Sequence, residues 1–480
     1  MKKLTIICLI SFSVVSGFSQ NDKKDYAEAF KLIEIWLEAQ KDFEKLPGIA
    51  AAIVEDQEVI WSGAFGLSNI EKKAEIKSST IFSICSISKL FTSVAIMKLY
   101  DEGKLRLDDQ IDDLLPWYDL EQKFPESGPI TVRSLLTHSS GLPREANFPY
   151  WTGPDFPFPT QELVKDELGN QETLYPASTY FQYSNLGLTL LGEIIEKVSG
   201  IPFDEYIRTN IFAPLGLKNT RTELPEALYG NELAIGYSAI KRNGEREKVN
   251  FFQANGIKPA AGFSSNVYDL AEFASWQFRL IDTTTIEILK PSTLKYMQNV
   301  HWTDPDWKTT WGLGFSIQKG TDDSKIVGHG GSCPGYRSVL LMNAKNKRAY
   351  VVMINANGTS PEKYSNGIME ILNKAETDQK KQAIKPEVSK KDLKEYSGYY
   401  SNLPWGSETY VMPWNGNLAI LTLPSEAPVK SMAFFKYSEG DIFRRIRDDG
   451  ELGETLVFER NPKGEVINFI QHNNYSKKIK

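Results

Sequence analysis

Apolar residues recur along this chain with two different periods, and their alternation predicts the order of helices and strands. Residues 26–41 carry apolar side chains near helical spacing, which predicts an amphipathic helix. Two apolar runs follow at Gly48–Val54 and Glu58–Phe65, and the polar Glu55-Asp56-Gln57 between them predicts a hairpin. A buried helix is then predicted over Ser86–Glu102.

Further along the chain, the pattern adds one helix and returns to strands. It predicts a helix over Ser184–Val198, a hairpin from Tyr336–Met342 and Arg348–Ile354, and a closing helix over Ser360–Lys374. Early and late strands therefore enclose a helical middle. We expect one sheet assembled from both ends of this region, with helices covering its faces.

The composition changes beyond the closing helix. Lys, Glu, Asp and Gln dominate there and large apolar residues are scarce, which predicts a linker at residues 379–394. Residues 395–480 are rich in aromatic and β-branched residues, with turn signals such as Asn415-Gly416, which predicts a small all-β domain. Because the linker is polar, we expect few core contacts between this domain and residues 20–378.

The amino terminus has the three parts of a secretory signal peptide. Lys2 and Lys3 give a positive start, Leu4–Val15 is apolar, and Gly17-Phe18-Ser19 offers small residues for cleavage. We therefore predict a signal peptide at residues 1–19 and a periplasmic or secreted protein. The apolar run is too short for an ordinary membrane span, so no integral span is expected.

Composition and charge exclude several functions. The chain has 480 residues and a formal net charge of -6. An acidic chain without a basic stripe gives no reason to expect a nucleic-acid partner. Only Cys85 and Cys333 remain after cleavage, and the histidines are scattered, so neither a metal site nor a cofactor is predicted. We expect a small molecule or peptide as substrate, and the oligomeric state stays open.

Ser86 and Lys89 form the first of three motifs that indicate acyl transfer. Placed three apart at a predicted helix start, they share one face of the first turn. The helix amino terminus favours negative charge on the serine oxygen, and the lysine amine can accept the hydroxyl proton. Alone, Ser-x-x-Lys is a weak signal, because a capping serine followed by a surface lysine has the same spacing.

The second motif is Tyr183-Ser184-Asn185, at the start of the next predicted helix. A lysine ammonium nearby lowers a phenol pKa, so we expect a Tyr183 phenolate able to act as general base. The amide of Asn185 can both donate and accept hydrogen bonds, which suits a substrate amide or the lysine itself.

The third motif is Gly328-His329-Gly330-Gly331-Ser332. Consecutive glycines beside a strand permit the close approach of a ligand to the backbone. We expect the amide of Ser332 to pair with that of Ser86 as an oxyanion hole. The predicted substrate-binding residues are therefore Asn185, His329, Gly330, Gly331 and Ser332.

Together and in this order, the motifs resemble those of the serine β-lactamase-like superfamily. That superfamily includes class C β-lactamases, low-molecular-weight penicillin-binding proteins, and related esterases and D-aminopeptidases. The resemblance covers Leu32–Asn373 and includes the segments Ile130–Pro143 and Pro259–Ser265. It implies that Ser86 is the acylated nucleophile and that Lys89 is its proton partner, with Tyr183 in the second motif.

The resemblance also implies a fold. We expect an α/β (α+β) architecture in which an antiparallel sheet is flanked by helices and joined to a helical subdomain. A small C-terminal all-β domain, similar to a lipocalin, is expected to follow.

The third motif departs from that superfamily, because His329-Gly330-Gly331 stands where Lys-Thr-Gly occurs in many β-lactamases. A histidine of ordinary pKa is mostly neutral near pH 7, and glycine lacks the hydroxyl that helps hold a substrate carboxylate. We therefore expect weak β-lactam hydrolysis, with Arg337 as a candidate for the missing positive charge.

The predicted function is an exported serine hydrolase that forms an acyl-enzyme on Ser86. Its expected substrate is an ester, a small amide or a D-amino-acid peptide. The alternative is a non-catalytic or slowly acylating protein that senses cell-wall peptides or β-lactams.

We interpret His138 as a buried structural histidine, and we favour free thiols over a disulfide for Cys85 and Cys333.

Overall fold

The protein is described by a computed structural model over residues 25–320, 323–384 and 391–480. The predicted signal peptide at residues 1–19 lies outside these residues. The helices are α1 (Ala27–Phe43), α2 (Ser88–Asp101), α3 (Ile111–Leu114), α4 (Val132–Leu136), α5 (Gln161–Asp166), α6 (Asn185–Ser199), α7 (Phe203–Ile207), α8 (Ala213–Leu215), α9 (Lys258–Ala261), α10 (Val267–Ile281), α11 (Pro291–Met297) and α12 (Pro361–Ile384). Within the described ranges, no helix combines the length and the apolar character that a membrane crossing needs.

A nine-stranded antiparallel sheet forms the centre of the larger unit. The strands up to residue 354 are β1 (Gly48–Glu55), β2 (Glu58–Asn69), β3 (Ala74–Glu75), β4 (Phe82–Ser83), β5 (Ser264–Ser265), β6 (Trp302–Thr303), β7 (Thr310–Trp311), β8 (Ser316–Lys319), β9 (Lys325–Cys333), β10 (Tyr336–Asn343) and β11 (Arg348–Ile354). The sheet order is β3-β2-β1-β11-β10-β9-β8-β7-β6, while β4 and β5 pair separately. Because β1 pairs with β11, the prediction of one sheet built from both chain ends is confirmed.

Helices cover both faces of this sheet, which is why its central strands are apolar at nearly every position. Along β1, Ala50, Ala52 and Val54 pack into the core formed with α2, α6 and α10. The alternate residues Ile49 and Ile53 pack into a second core with α1 and α12. Period-two alternation thus places consecutive residues of one strand in two different cores.

The closing helix is longer than the sequence predicts. Expected to end at Lys374, α12 continues to Ile384 and so includes residues 379–384 of the predicted linker. Polar residues just before the predicted linker pair along the helix, since Lys374 Nζ lies 2.9 Å from Asp378 Oδ2 one turn on. Residues 385–390 of the predicted linker lie outside the described residues.

The C-terminal unit is all-β, as the sequence predicts. Its strands are β12 (Gly398–Ser401), β13 (Glu408–Trp414), β14 (Asn417–Leu423), β15 (Met432–Glu439), β16 (Ile442–Ile446), β17 (Leu452–Arg460), β18 (Val466–Gln471) and β19 (Asn474–Lys477). They pair antiparallel in chain order. A bridge between Tyr400 and Lys478 brings the first and last strands together, so the sheet is nearly closed into a barrel.

The C-terminal sheet shares a core with α1 and α12. Buried Trp414 and Leu421 belong to the same apolar cluster as Trp36. Trp36 Nε1 donates to the Ser425 carbonyl at 2.8 Å, and the Ser425 amide donates to Gln40 Oε1 at 2.9 Å. The expectation of few core contacts across the linker is therefore wrong. The polar composition of the linker indicates only that the linker itself is exposed. It does not indicate whether the strands that follow pack against the larger unit.

Candidate active site

Ser86 lies in a short 3₁₀ turn, Cys85–Ile87, between β4 and α2. Cys85 just before it has a φ of 53°, a left-handed conformation that non-glycine residues adopt mainly in turns and at functional sites. The prediction that Ser86 stands at a helix start is confirmed, because α2 begins at Ser88.

Ser86 faces a pocket of about 260 Å³ that collects residues from all three motifs. The predicted site residues that line it are Ser86, Tyr183, His329, Gly330, Gly331 and Ser332. The other lining residues are Arg144, Arg337 and Glu362. Lys89 and Asn185 are not among the lining residues. Lys89 contacts Ser86, and Asn185 contacts Lys89.

Lys89 lies one turn along α2 and is only 1% exposed. Its Nζ is 3.3 Å from Ser86 Oγ, the atom expected to react. The same Nζ lies 2.7 Å from Asn185 Oδ1 and 2.8 Å from the Ala260 carbonyl oxygen. Burial lowers the Lys89 pKa to about 7, against the opposing attraction of Glu145. Near neutral pH, much of this lysine is therefore uncharged amine.

An uncharged amine has two N–H groups and one lone pair. The Asn185 and Ala260 oxygens are both acceptors, so they take the two hydrogens of Lys89. The lone pair then remains for the hydroxyl hydrogen of Ser86. This arrangement suits a buried lysine that acts as a general base.

Asn185 is held at the start of α6. Ser184 caps this helix by accepting the Gly187 amide at 2.8 Å. Asn185 Nδ2 lies 2.9 Å from both carboxylate oxygens of Glu145, so the amide nitrogen points to Glu145 and Oδ1 to Lys89. Glu145 is thus a positioning residue that fixes the acceptor facing the lysine.

Tyr183 lies beside the nucleophile, where the Ser86 hydroxyl acts to lower the pKa of the phenol. Burial raises the Tyr183 pKa above its ordinary value and outweighs the lowering by Ser86 and Arg144. The sequence argument for a low phenol pKa is therefore wrong. It assumed a charged lysine beside the hydroxyl, whereas Lys89 has a lowered pKa and lies 4.7 Å from the centre of the ring. Tyr183 stays protonated and acts as a donor.

Aromatic packing fixes the Tyr183 ring. His138 stacks on it with ring centres 4.3 Å apart, and Trp311 meets it edge-on at 6.2 Å. His138 is 1% exposed, and its Nδ1 accepts the Ser184 amide at 3.1 Å. The interpretation of His138 as a buried structural histidine is confirmed.

The third motif runs along β9 at the side of the pocket. A Cβ on Gly331 would lie 2.3 Å from the Ile84 carbonyl oxygen, so glycine is required for β9 to approach the nucleophile turn. His329 donates from Nδ1 to the Gly330 carbonyl at 2.6 Å. Burial lowers the His329 pKa to about 3, so this residue is neutral at ordinary pH, as expected.

Gly330 has a different reason to lack a side chain. A Cβ at this position would lie 2.7 Å from Glu362 Oε1, which reaches the pocket from the first turn of α12. The carboxylate of Glu362 therefore occupies the space that a side chain at position 330 would need.

Cys85 and Cys333 are both buried and free, in agreement with the favoured interpretation. The two thiols interact, and burial together with the neighbouring Cys85 raises the Cys333 pKa. In the described part of the chain, no three or more His, Cys, Asp or Glu side chains are grouped in a way that could hold a metal ion.

Sequence reasoning missed Arg144, Glu145 and Glu362. The first two directly follow the segment Ile130–Pro143, so their place in the chain was a usable signal. No such signal marks Glu362, because only the packing of α12 against the sheet brings it to the third motif.

Known proteins resemble this chain over most of its larger unit. A family model described as Beta-lactamase matches residues 36–371. Penicillin-binding protein 4* of Bacillus subtilis (strain 168) is 27% identical over 315 residues, covering 63% of this chain and 66% of that protein. The chain therefore spans slightly less than two thirds of that relative's length.

Two solved structures share the fold. The octameric penicillin-binding protein homologue from Pyrococcus abyssi superposes with a TM-score of 0.62 at 24% identity, covering 92% of this chain and 98% of that one. A D-stereospecific amidohydrolase from Streptomyces sp. gives a TM-score of 0.58 at 22% identity, covering 70% and 97%. The first of these likenesses extends over most of the C-terminal sheet.

Proposed function

We propose, from the premise that this chain belongs to the β-lactamase family, that it is an exported serine hydrolase working through an acyl-enzyme on Ser86. The observation that carries the proposal is the arrangement of Lys89, whose two acceptors leave its lone pair for the Ser86 hydroxyl. The expected substrates are esters, small amides and D-amino-acid peptides, and the amidohydrolase and penicillin-binding relatives support this range. Export rests on the predicted signal peptide at residues 1–19.

In the proposed acylation step, Ser86 Oγ attacks the substrate carbonyl carbon and Lys89 Nζ takes the hydroxyl proton. The negative charge that develops on the carbonyl oxygen is held by the amides of Ser86 and Ser332. Tyr183 then donates its phenolic proton to the leaving group and recovers a proton from the Lys89 ammonium. In the proposed deacylation step, a water molecule attacks the acyl carbon and gives one proton to Lys89 and Tyr183. The bond from the acyl carbon to Ser86 Oγ then breaks, and Lys89 and Tyr183 return the proton to Ser86.

Covalent labelling tests the nucleophile. We expect intact-mass spectrometry to show a single fluorophosphonate adduct on the wild type and none on Ser86→Ala. Ser332→Ala, changed at the other serine of the pocket, is the matched control and is expected to keep the adduct. Labelling of Ser86→Ala at wild-type stoichiometry would contradict the assignment. A penicillin adduct on Ser86 that persists, with no turnover of any ester or amide, would favour the sensor alternative.

The pH profile tests the state of Lys89. The base must be unprotonated in the free enzyme, so kcat/KM for p-nitrophenyl acetate is expected to rise with pH and reach half its plateau near pH 7, the lowered Lys89 pKa. His329, with a pKa of about 3, does not titrate in this range. Tyr183 stays protonated because its pKa is raised.

A matched variant shows which group produces the inflection. The Glu145 carboxylate raises the Lys89 pKa, so Glu145→Gln is expected to move the midpoint to lower pH while keeping an oxygen that accepts from Asn185. A midpoint that moves upward, or a rate that falls as pH rises through 7, would contradict the role of Lys89 as base.

A further inference from the structure

The carboxylate of Glu145 accepts hydrogen bonds from three different side chains. Asn185 Nδ2 lies 2.9 Å from each carboxylate oxygen, and Arg144 Nε lies 3.1 Å from Oε1. The hydroxyl of Tyr150 donates to Oε2. Without that hydroxyl, Oε2 would keep only the Asn185 amide, which also bonds Oε1. Among the described residues, Tyr150 is therefore the partner that belongs to Oε2 alone.

Tyr150 is a donor fixed both in place and in protonation state. The residue is fully buried, and its ring centre lies 5.4 Å from that of Trp151 and 5.0 Å from that of Phe158. Burial raises the pKa of Tyr150, and the charge of Glu145 raises it further. The phenol therefore stays protonated at every pH at which an enzyme is ordinarily assayed.

Glu145 connects this hydroxyl to the base of the proposed reaction by two routes. The first is the Asn185 amide, whose nitrogen faces Glu145 and whose oxygen lies 2.7 Å from Lys89 Nζ. Because the amide is planar, holding its nitrogen end also aims its oxygen end. The second route is charge: burial lowers the Lys89 pKa to about 7, and the Glu145 carboxylate opposes that effect.

We propose that Tyr150 is a positioning residue for acyl transfer that acts on Lys89 through Glu145. Its hydroxyl holds the carboxylate in the orientation that turns the Asn185 oxygen toward the lysine. It also offsets part of the negative charge that the carboxylate presents there. This inference rests on the proposed function, because Lys89 is the base of that reaction. Tyr150 does not line the pocket around Ser86, so its effect must pass through its neighbours.

Tyr150→Phe tests this role, because it keeps the ring and removes the donor. The full charge of the carboxylate then acts on Lys89. We expect the midpoint of Lys89 ionisation to move to higher pH by about 0.3–1 unit, a fraction of the effect of a complete charge close by. The midpoint is measured by NMR on full-length protein carrying ¹³C at the lysine Cε atoms. The Lys89 signal is identified by its absence from Lys89→Met.

The other charged or titratable groups that face Lys89 are the same in this variant and in the wild type. They are Cys85, His138, Arg144, Tyr183, His329 and Cys333. Burial lowers the pKa of both histidines and raises the pKa of Tyr183 and of Cys333, so these four groups do not ionise near pH 7. A shift between variants therefore reports the change at Tyr150.

A second set of variants tests the route through Glu145. In the Glu145→Gln background, Tyr150→Phe is expected to cause no further shift, because the charge that the hydroxyl offsets is gone. The control is Tyr206→Phe, at a buried tyrosine whose hydroxyl has no partner among the described residues, and it is expected to change nothing. A variant with 4-aminophenylalanine at position 150 keeps a donor and is expected to keep the wild-type midpoint. A Lys89 midpoint that stays or falls in Tyr150→Phe, or that moves equally without the carboxylate, overturns the proposal.

The rate of fluorophosphonate labelling measures the orienting effect separately. At about pH 9 Lys89 is uncharged in both proteins, so only the orientation of the site differs. We expect the labelling rate constant of Tyr150→Phe to be about three- to tenfold lower than that of the wild type, part of the effect of one hydrogen bond to a charged group. An unchanged rate constant would show that the hydroxyl does not orient the site and would overturn the proposal.

Failure here and failure of the proposed function can be told apart. The NMR titration follows Lys89 itself and does not depend on hydrolysis. Labelling at Ser86 with no movement of the Lys89 midpoint in Tyr150→Phe would refute only the role of Tyr150. The expected movement of the midpoint with no labelling at Ser86 would refute only the assignment of the nucleophile.

Discussion

Replacing Lys89 by methionine is expected to lower kcat for ester hydrolysis by about 10²- to 10⁴-fold, the usual contribution of a general base. Methionine fills a similar volume but cannot accept the Ser86 proton. Tyr183→Phe is expected to give a loss in the same range, because it removes the donor to the leaving group. The measurement is single-turnover and steady-state kinetics on an alkyl ester, whose alkoxide leaving group needs that proton, normalised to folded protein.

The two losses are expected not to add. Because one proton passes between Lys89 and Tyr183, the double variant should be little slower than the slower single variant. Lys98→Met, on the same helix and ion-paired at the surface with Glu102, serves as the control and should keep wild-type kcat. Losses that multiply in full would mean that the two residues act in separate steps.

Ending the chain after Ile384 is expected to abolish soluble, folded protein. Removal of the C-terminal sheet exposes the faces of α1 and α12 that bury Trp36 against Trp414 and Leu421. Each large apolar side chain contributes about 1.5–3 kcal/mol when fully buried, and several are exposed together. A typical domain has only about 5–15 kcal/mol of stability in total.

Gel filtration and circular dichroism of residues 20–384 beside residues 20–480 provide the measurement. Trp414→Ala in the longer polypeptide is the milder variant, expected to lower the free energy of unfolding by about 3–5 kcal/mol. Leu418→Ala, in the core internal to the C-terminal sheet, is the comparison. A shorter polypeptide that is monomeric, folded and fully active would show that the shared core is dispensable.

The parts of the fold that the sequence predicted are those set by local pattern. Periodicity and capping predicted the hairpin at Gly48–Phe65, the helix after Ser86 and the helix after Ser184. The length of α12 could not be predicted from the sequence, because the last turns of this helix are polar. They have partners in the C-terminal sheet, such as Trp414, which donates to Asp378 at 2.9 Å.

The chemistry of the site divides in the same way. Ser86, Lys89 and Tyr183 were predicted from short motifs ordered along the chain, and the structure brings these three residues together. The protonation states were not predictable, because burial decides them, and burial of Lys89 and Tyr183 arises from several elements packing together. Glu362 could not be predicted either, because it lies far along the chain from the third motif, which it contacts only in the folded protein.

The shared core makes the C-terminal sheet a poor candidate for an exchangeable module. α12 carries Glu362 to the pocket at one end, and near its other end Asp378 bonds Trp414 of the sheet. Recombination that replaced only residues 391–480 with those of a relative would join surfaces that had not varied together. Among related proteins, substitutions on α1, α12 and β14 should therefore occur together. Because α12 also carries Glu362, substitutions in the C-terminal sheet should be linked to substitutions in the pocket.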